Sequence, residues 1–256
     1  MKNFLSLAFL ASLSVIALTG CFTPTIDSAF VHKTNENIKL DGNLTEKSWV
    51  NATTHNLAFL SNWDRMPYKT KKVMKNKFFE GGKAKFLLGK EYFYIGIDFQ
   101  DLDILCTSNA PQAHHYLNGD LVEIFIKPMN APHYWELFFN PLKGRTSFFY
   151  NGTGNKGPSS FGMKHFMNTY IGEAKVYGTV NKSNDQDTHW VAEIAIPLKE
   201  LAAKGVPFDE NNPWSILIAR YNYGNNLRDI QYSTFPRLPV INYHLIEYYD
   251  PIKFVK

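Results

Sequence analysis

The chain has 256 residues, of which 45% are apolar and 15% aromatic, and it carries a formal net charge of +4. So mild a charge leaves no basic footprint for nucleic acid. Two cysteines cannot staple a fold of this length, so a packed core must hold it, while 20 Phe, 14 Tyr and 5 Trp favour sheets and supply flat faces for ligands.

At the start, Lys2 precedes an apolar stretch from Phe4 to Leu18 that is short for a bilayer span and ends in "LTGC". This resembles the lipobox of bacterial lipoproteins. On that reading residues 1–20 are a signal peptide, and acyl chains on Cys21 hold the protein at a membrane without a transmembrane segment. An ordinary secretory signal with an incidental cysteine is the alternative. Phe22 is not the Asp that resemblance to enterobacterial lipoproteins links to inner-membrane retention. The expected location is therefore the cell envelope, lipid-anchored at the outer membrane, periplasmic or surface-facing. Cys106 is then alone and reads as a buried apolar filler.

Residues 21–36 are polar and read as a tether, and one domain is expected over 37–256. Its first elements are a strand "NIKL", a turn at Asp41-Gly42, and a short helix or turn in "LTEKSWVNA" that buries Leu44 and Trp49. The lysine-rich segment from Asn56 to Gly82 reads as a solvated loop with a strand passing through it. Within it, Trp63 between Asn62 and Asp64 is the tryptophan best placed to face a ligand. Trp49, Trp190 and Trp214 flank apolar runs and read as packing.

"KAKFLLGKEYFYIGIDFQD" is a hairpin whose second strand alternates Phe93, Ile95, Ile97 and Phe99 against Tyr92, Tyr94, Gly96 and Asp98. Further strands are expected in "LVEIFIK", "YWELFFN", "RTSFFY", "EAKVYGTV", "WVAEIAI" and "WSILIARY", separated by Gly, Pro and Asn clusters. "PLKELAAKG" has helical spacing with Gly205 as its stop. Many strands with one or two short helices and no repeat define an all-β fold, expected as a two-sheet antiparallel β-sandwich.

"NGDLVEIFIKP" (118–128) carries two acids in an apolar run. Alternation puts Val122, Ile124 and Ile126 on one face, and Glu123 with Leu121, Phe125 and Lys127 on the other. Asp120 and Glu123 then point apart and make a poor acid/base pair. Glu136, Glu193 or Asp229 could partner Glu123. Tyr134, Glu136 and Asn140 share the face opposite Trp135, Leu137 and Phe139. Arg145 and Arg220 either hydrogen-bond a polar ligand or pair with acids such as Glu123 and Glu136. No nucleophile elbow, phosphate loop, dinucleotide fingerprint or zinc helix is present. Asp98, Asp101 and Asp103 in "DFQDLDI" form an oxygen-rich turn that could hold calcium or simply face water.

Together, "LDGNLTEKSW", "EYFYIGIDFQDLDI", "GDLVEIFIKP", "YWELFFNPLKG" and "THWVAEIAIPLKEL" resemble, in order, the motifs of family 9 carbohydrate-binding modules. The resemblance runs from about Ile38 to Val255. It implies a jelly-roll-like sandwich, often with structural calcium, for which Asp101, Asp103 and Asp120 are the candidate ligands. It also implies a sugar stacked between an aromatic near Tyr116 and a second at Tyr243 or a neighbour, with Glu123 bonding hydroxyls. Trp63, Tyr134 and Arg145 complete the candidate carbohydrate site. A pyranose offers an apolar C–H face for a ring and hydroxyls for charged or amide partners.

The function so implied is non-catalytic capture of an oligo- or polysaccharide by a membrane-anchored lipoprotein in carbohydrate catabolism, beside glycoside hydrolases or transporters. Two rivals stand beside it. One is a haem-binding electron-transfer sandwich using Met66, Met129, Met163 or Met167 with His133 or His165. The other is a protein-binding scaffold with a degenerate sugar site.

Overall fold

The computed structural model describes residues 28–60, 79–152, 167, 169–225, 227 and 229–256. In chain order the elements are β1 (Ala29–Lys33), α1 (Lys47–Asn51), β2 (His55–Asn56), β3 (Ala58–Leu60), β4 (Gly82–Leu88), β5 (Tyr92–Gln100), β6 (Leu121–Pro128) and β7 (His133–Phe139). They continue with β8 (Arg145–Asn151), β9 (Ile171–Tyr177), β10 (His189–Pro197), α2 (Leu198–Leu201), β11 (Trp214–Asn222), β12 (Gln231–Phe235) and β13 (Asp250–Val255). Among the described residues the protein is all-β apart from these two short helices and a few 3₁₀ turns.

The strands form one continuous path of pairing, β8-β7-β6-β11-β13-β1-β4-β5-β10-β9, with β12 added to β11 and β3, and β2 to β4. The sheet is mixed rather than wholly antiparallel, because β1 runs parallel to both β13 and β4. The connection between its halves is made by β13. Asp250 and Pro251 pair with β11, and Ile252 to Val255 pair with β1. Proline, lacking an N–H, sits where one set of ladder bonds ends and the other begins.

The sheet curls so that its halves share one apolar core. Phe93, Ile95, Ile97 and Phe99 of β5 lie in the same cluster as Val122, Ile124 and Ile126 of β6, Trp135, Leu137 and Phe139 of β7, and Ile216 and Ile218 of β11. The approach is close: a Cβ on Gly172 of β9 would lie 2.6 Å from the Phe139 ring of β7. The expected hairpin is β4–β5, and the alternations in β5, β6 and β7 fall on the faces the sequence assigns. Cys106 is buried and free. Gly205, at φ 87°, terminates α2 and its 3₁₀ extension.

Two motifs 144 positions apart in the chain lock together. Trp49 of α1 is fully buried and donates Nε1–H to Glu193 Oε1 at 2.9 Å. Glu193 Oε2 accepts the N–H groups of Asp41 and Gly42 at 2.8 and 2.9 Å. The "LDG" turn and the helix tryptophan are thus tied to β10.

The tether expectation differs from the structure. Residues 29–33, within the stretch read as a tether, form β1 inside the sheet, whereas "NIKL" is not a strand. In "AFVHK" only Ala29 and Val31 are deeply buried, so five residues carry too short an apolar signal to stand out. β12 and β13 also went unread: "QYSTF" is half polar, and Pro251 interrupts the strand pattern of β13.

Candidate functional site

The outer faces of β6, β7, β8 and β11 carry a second cluster, rich in tyrosine, on the side away from the main core. Strand alternation places Glu123 and Phe125 of β6 and Glu136 of β7 there. Glu123 pairs with Phe138, and Phe125 with Glu136, so the two carboxylates are diagonal neighbours across the β6–β7 ladder. On the other side Glu123 lies opposite Ala219 of β11, whose small side chain leaves space above it.

Around this pair is a cavity of about 330 Å³. Phe148 and Tyr150 of β8 and Tyr221 of β11 line it. His114 and Tyr116 form one rim, and Ile241, Asn242, Tyr243 and His244 form the other. The rings brace one another. Tyr134 and Tyr150 stack with centroids 4.6 Å apart, and the Tyr134 hydroxyl lies 2.9 Å from His244 Nδ1. Tyr249 fixes the loop from behind, donating its hydroxyl to the Tyr243 carbonyl at 2.7 Å.

Glu123 is 3% exposed and Glu136 4%, and each has an Oε2 without a hydrogen-bond partner. Burial lifts the Glu123 carboxyl well above its ordinary range. The negative charge of Glu136 and a hydrogen bond between the two groups lift it further. Two carboxyl groups this close oppose ionising together. Burial lowers His244, which stays neutral and contributes no compensating charge.

The acids on the opposite side of β6 are used differently. Asp120 Oδ2 accepts Leu105 N–H and Oδ1 accepts Tyr223 N–H, each at 2.6 Å. Asp101 pairs at 3.1 Å with Arg220, whose guanidinium is fully buried over the Phe99 ring. Arg220 also donates to the carbonyls of Glu80 and Gly81 and to the Asn222 side chain. Asp103 Oδ2 accepts Asn225 N–H. Burial raises Asp101 to about 7; Arg220 opposes that shift and Glu80 reinforces it.

Asp101, Asp103 and Asp120 therefore do not fit as a calcium donor set. Five of their six oxygens accept backbone N–H groups or a guanidinium, Asp103 Oδ1 alone lacking a partner, and among the described residues no group of three or more potential ligands converges. This corrects the metal assignment. An internal arginine stands where the acidic turn suggested a divalent cation.

The cavity brings together Glu123, Tyr116 and Tyr243 as expected. Tyr134 lies just behind, supporting Tyr150 rather than lining the space. Arg145 does not belong to the site: its Nη1 donates to the Tyr170 carbonyl and its guanidinium lies over the Tyr170 ring. Its ladder row runs through Phe139 and Val122, which face the main core, whereas Glu123 in the next row faces the cavity, so the expected contact with a ligand is corrected to a structural one. Trp63 and Cys21 lie outside the described residues, as do Met66, Met163 and His165 of the haem alternative. The remaining members of that set do not line the cavity. Met167 is in the main core, Met129 is exposed at the turn after β6, and His133 packs on Phe149.

Sequence reading named Glu136 as a candidate partner but missed Phe148, Tyr150 and Tyr221. The alternation that placed Glu123 places all three as well, once the ladder order β8-β7-β6-β11 is known. In the loop from 240 to 244 only Tyr243 was expected, through the resemblance; Ile241, Asn242 and His244 carried no signal.

The curled, largely antiparallel sheet is a fold shared with solved proteins described as carbohydrate-binding. One of these, from Bacteroides uniformis and provisionally described as carbohydrate-binding, superposes with a TM-score of 0.63 at 12% identity, covering 89% of this chain and 99% of its own. A family 9 carbohydrate-binding module from Caldicellulosiruptor kristjanssonii in complex with cellotriose gives 0.52 at 12% identity, over 88% and 93% of the two chains. The same organism's family 9 module in complex with glucose gives 0.51 at 12% identity, over 88% and 95%. The chain thus has a family 9 carbohydrate-binding-module-like fold. No protein-family model matches the sequence, and no curated protein matches it.

Proposed function

We propose that this domain is a non-catalytic carbohydrate-binding module. The observation that carries the reading is the cavity that joins Glu123, Tyr116 and Tyr243 with the rings of Tyr150 and Tyr221. Flat faces for a pyranose surround two acceptor groups with free oxygens, the combination a sugar's C–H face and hydroxyls require. The fold shared with glucose- and cellotriose-bound modules supports it. So does the facing arrangement of the two sheet halves, which suits the jelly-roll-like sandwich expected from the sequence. The carboxylates lie side by side on one cavity floor, which suits binding rather than hydrolysis, where an acid and a second carboxylate must flank one bond.

The lipobox-like "LTGC" extends the proposal to a lipoprotein anchored through Cys21 at the outer membrane, holding a glycan near hydrolases or transporters. Acyl labelling lost in Cys21→Ser would test the anchor. The binding reading is tested with a glycan array followed by titration calorimetry on wild type, Tyr116→Ala and Glu123→Ala. Binding of at least one glycan is expected, weakened about ten-fold or more in each variant. Absence of binding to every glycan sinks the reading.

A further inference from the structure

Among the described residues lining the cavity there is no lysine or arginine, although two buried carboxyl groups share its floor. The nearby arginines are committed elsewhere, Arg220 to Asp101 on the opposite face and Arg145 to Tyr170. The other titratable groups that face the pair are neutral. They are Tyr150 of β8, Tyr221 of β11, Tyr243 and His244 of the C-terminal loop, and Tyr134 and Tyr249 behind them. The rim adds His114 and Tyr116.

Two buried carboxylates side by side cannot both be ionised without a countercharge. No described residue lining the cavity supplies one, so ionising both carboxyls is unfavourable until a cation enters. A neutral sugar hydroxyl can donate to one orphan oxygen but brings no charge. An ammonium group brings a full positive charge and three N–H donors for the two Oε2 atoms, and the rings of Phe125 and Tyr150 flank it with negative faces.

We propose that the pocket selects a glycan with a free ammonium group, an N-unsubstituted amino sugar, seating the ammonium between Glu123 and Glu136. This rests on the sugar-binding reading and names its ligand class. The volume of about 330 Å³ admits one or two sugar units. Binding releases a proton from the pair: a pair of charge −1 and a cation of charge +1 become a complex of charge −1 and one free proton. Affinity for the amino sugar therefore rises with pH until its own amine deprotonates, whereas a neutral glycan shows no such rise.

Titration calorimetry of the full domain with the glucosamine trimer, its N-acetylated counterpart and cellotriose tests this, run in two buffers of different ionisation enthalpy. The glucosamine trimer is expected to bind about ten-fold tighter than either competitor, with release of about one proton. Glu136→Gln is expected to erase the preference for the amino sugar and the proton release. Thermal unfolding of that near-isosteric variant checks its fold, and the wild-type preference stands as a test without it. Equal or tighter binding of cellotriose overturns the proposal and leaves the sugar-binding reading intact. Binding of tri-lysine with no binding of any glycan overturns both.

Discussion

Arg220 and Glu193 each satisfy buried groups from distant parts of the chain, and each makes a stability prediction. Arg220→Met leaves Asp101 without its ion-pair partner and the Glu80 and Gly81 carbonyls without a donor. Removing one member of a buried pair costs about 3–5 kcal/mol. Urea unfolding should show a loss of that size, and Asp101→Leu in the same chain should recover part of it because the stranded charge is gone. A loss under about 1 kcal/mol would mean that Arg220 is not the internal cation. Trp49→Phe deletes one hydrogen bond to a buried carboxylate while keeping most of the ring, and should cost about 1.5–3 kcal/mol. The sequence displayed these acids but not their use, because an acidic turn looks alike whether calcium, water or an arginine more than a hundred positions away will meet it.

The strands that were legible are those with a long period-two pattern. In β6 the alternation of Val122, Ile124 and Ile126 on the core face assigns Glu123 to the outer face, and the structure puts it on the cavity floor. What the pattern could not provide was the neighbour order. Tyr150 and Tyr221 join Glu123 only because β8, β7, β6 and β11 lie side by side. β1 is the opposite case, five residues whose stability comes from two parallel partners rather than from their own composition. Its place between β13 and β4 leads to a test at this scale. A chain beginning at Ser28 should unfold in one cooperative transition, while one beginning at Asn35 should lose that transition, since β13 and β4 are each left with an open edge. Equal melting of the two would show that β1 is dispensable.

Across the molecule, the buried carboxyls impose an unusual dependence of stability on pH. Burial raises Glu123, Asp120, Glu193 and Asp101, the last to about 7. A carboxyl whose folded pKa exceeds its unfolded value binds more protons when folded, so its contribution is complete below about pH 4 and is lost as pH rises through the folded pKa. Burial lowers His115, His133 and His244, which act in the other sense and lose stability as pH falls below about 6.5. Above that pH those histidines are neutral in both states, so the carboxyls set the sign. The melting temperature should therefore peak on the acid side of neutrality and fall from about pH 6.5 to 8. Glu123→Gln should flatten that fall and raise the melting temperature at the alkaline end, because it removes a group that is costly to ionise in place. A carboxyl retained at such a cost is expected where a ligand supplies the missing charge. The stabilisation given by a saturating glucosamine trimer should then grow over the same interval while its amine stays protonated, and a trimer that stabilises equally at both ends would show that ligand and proton do not compete for the pair.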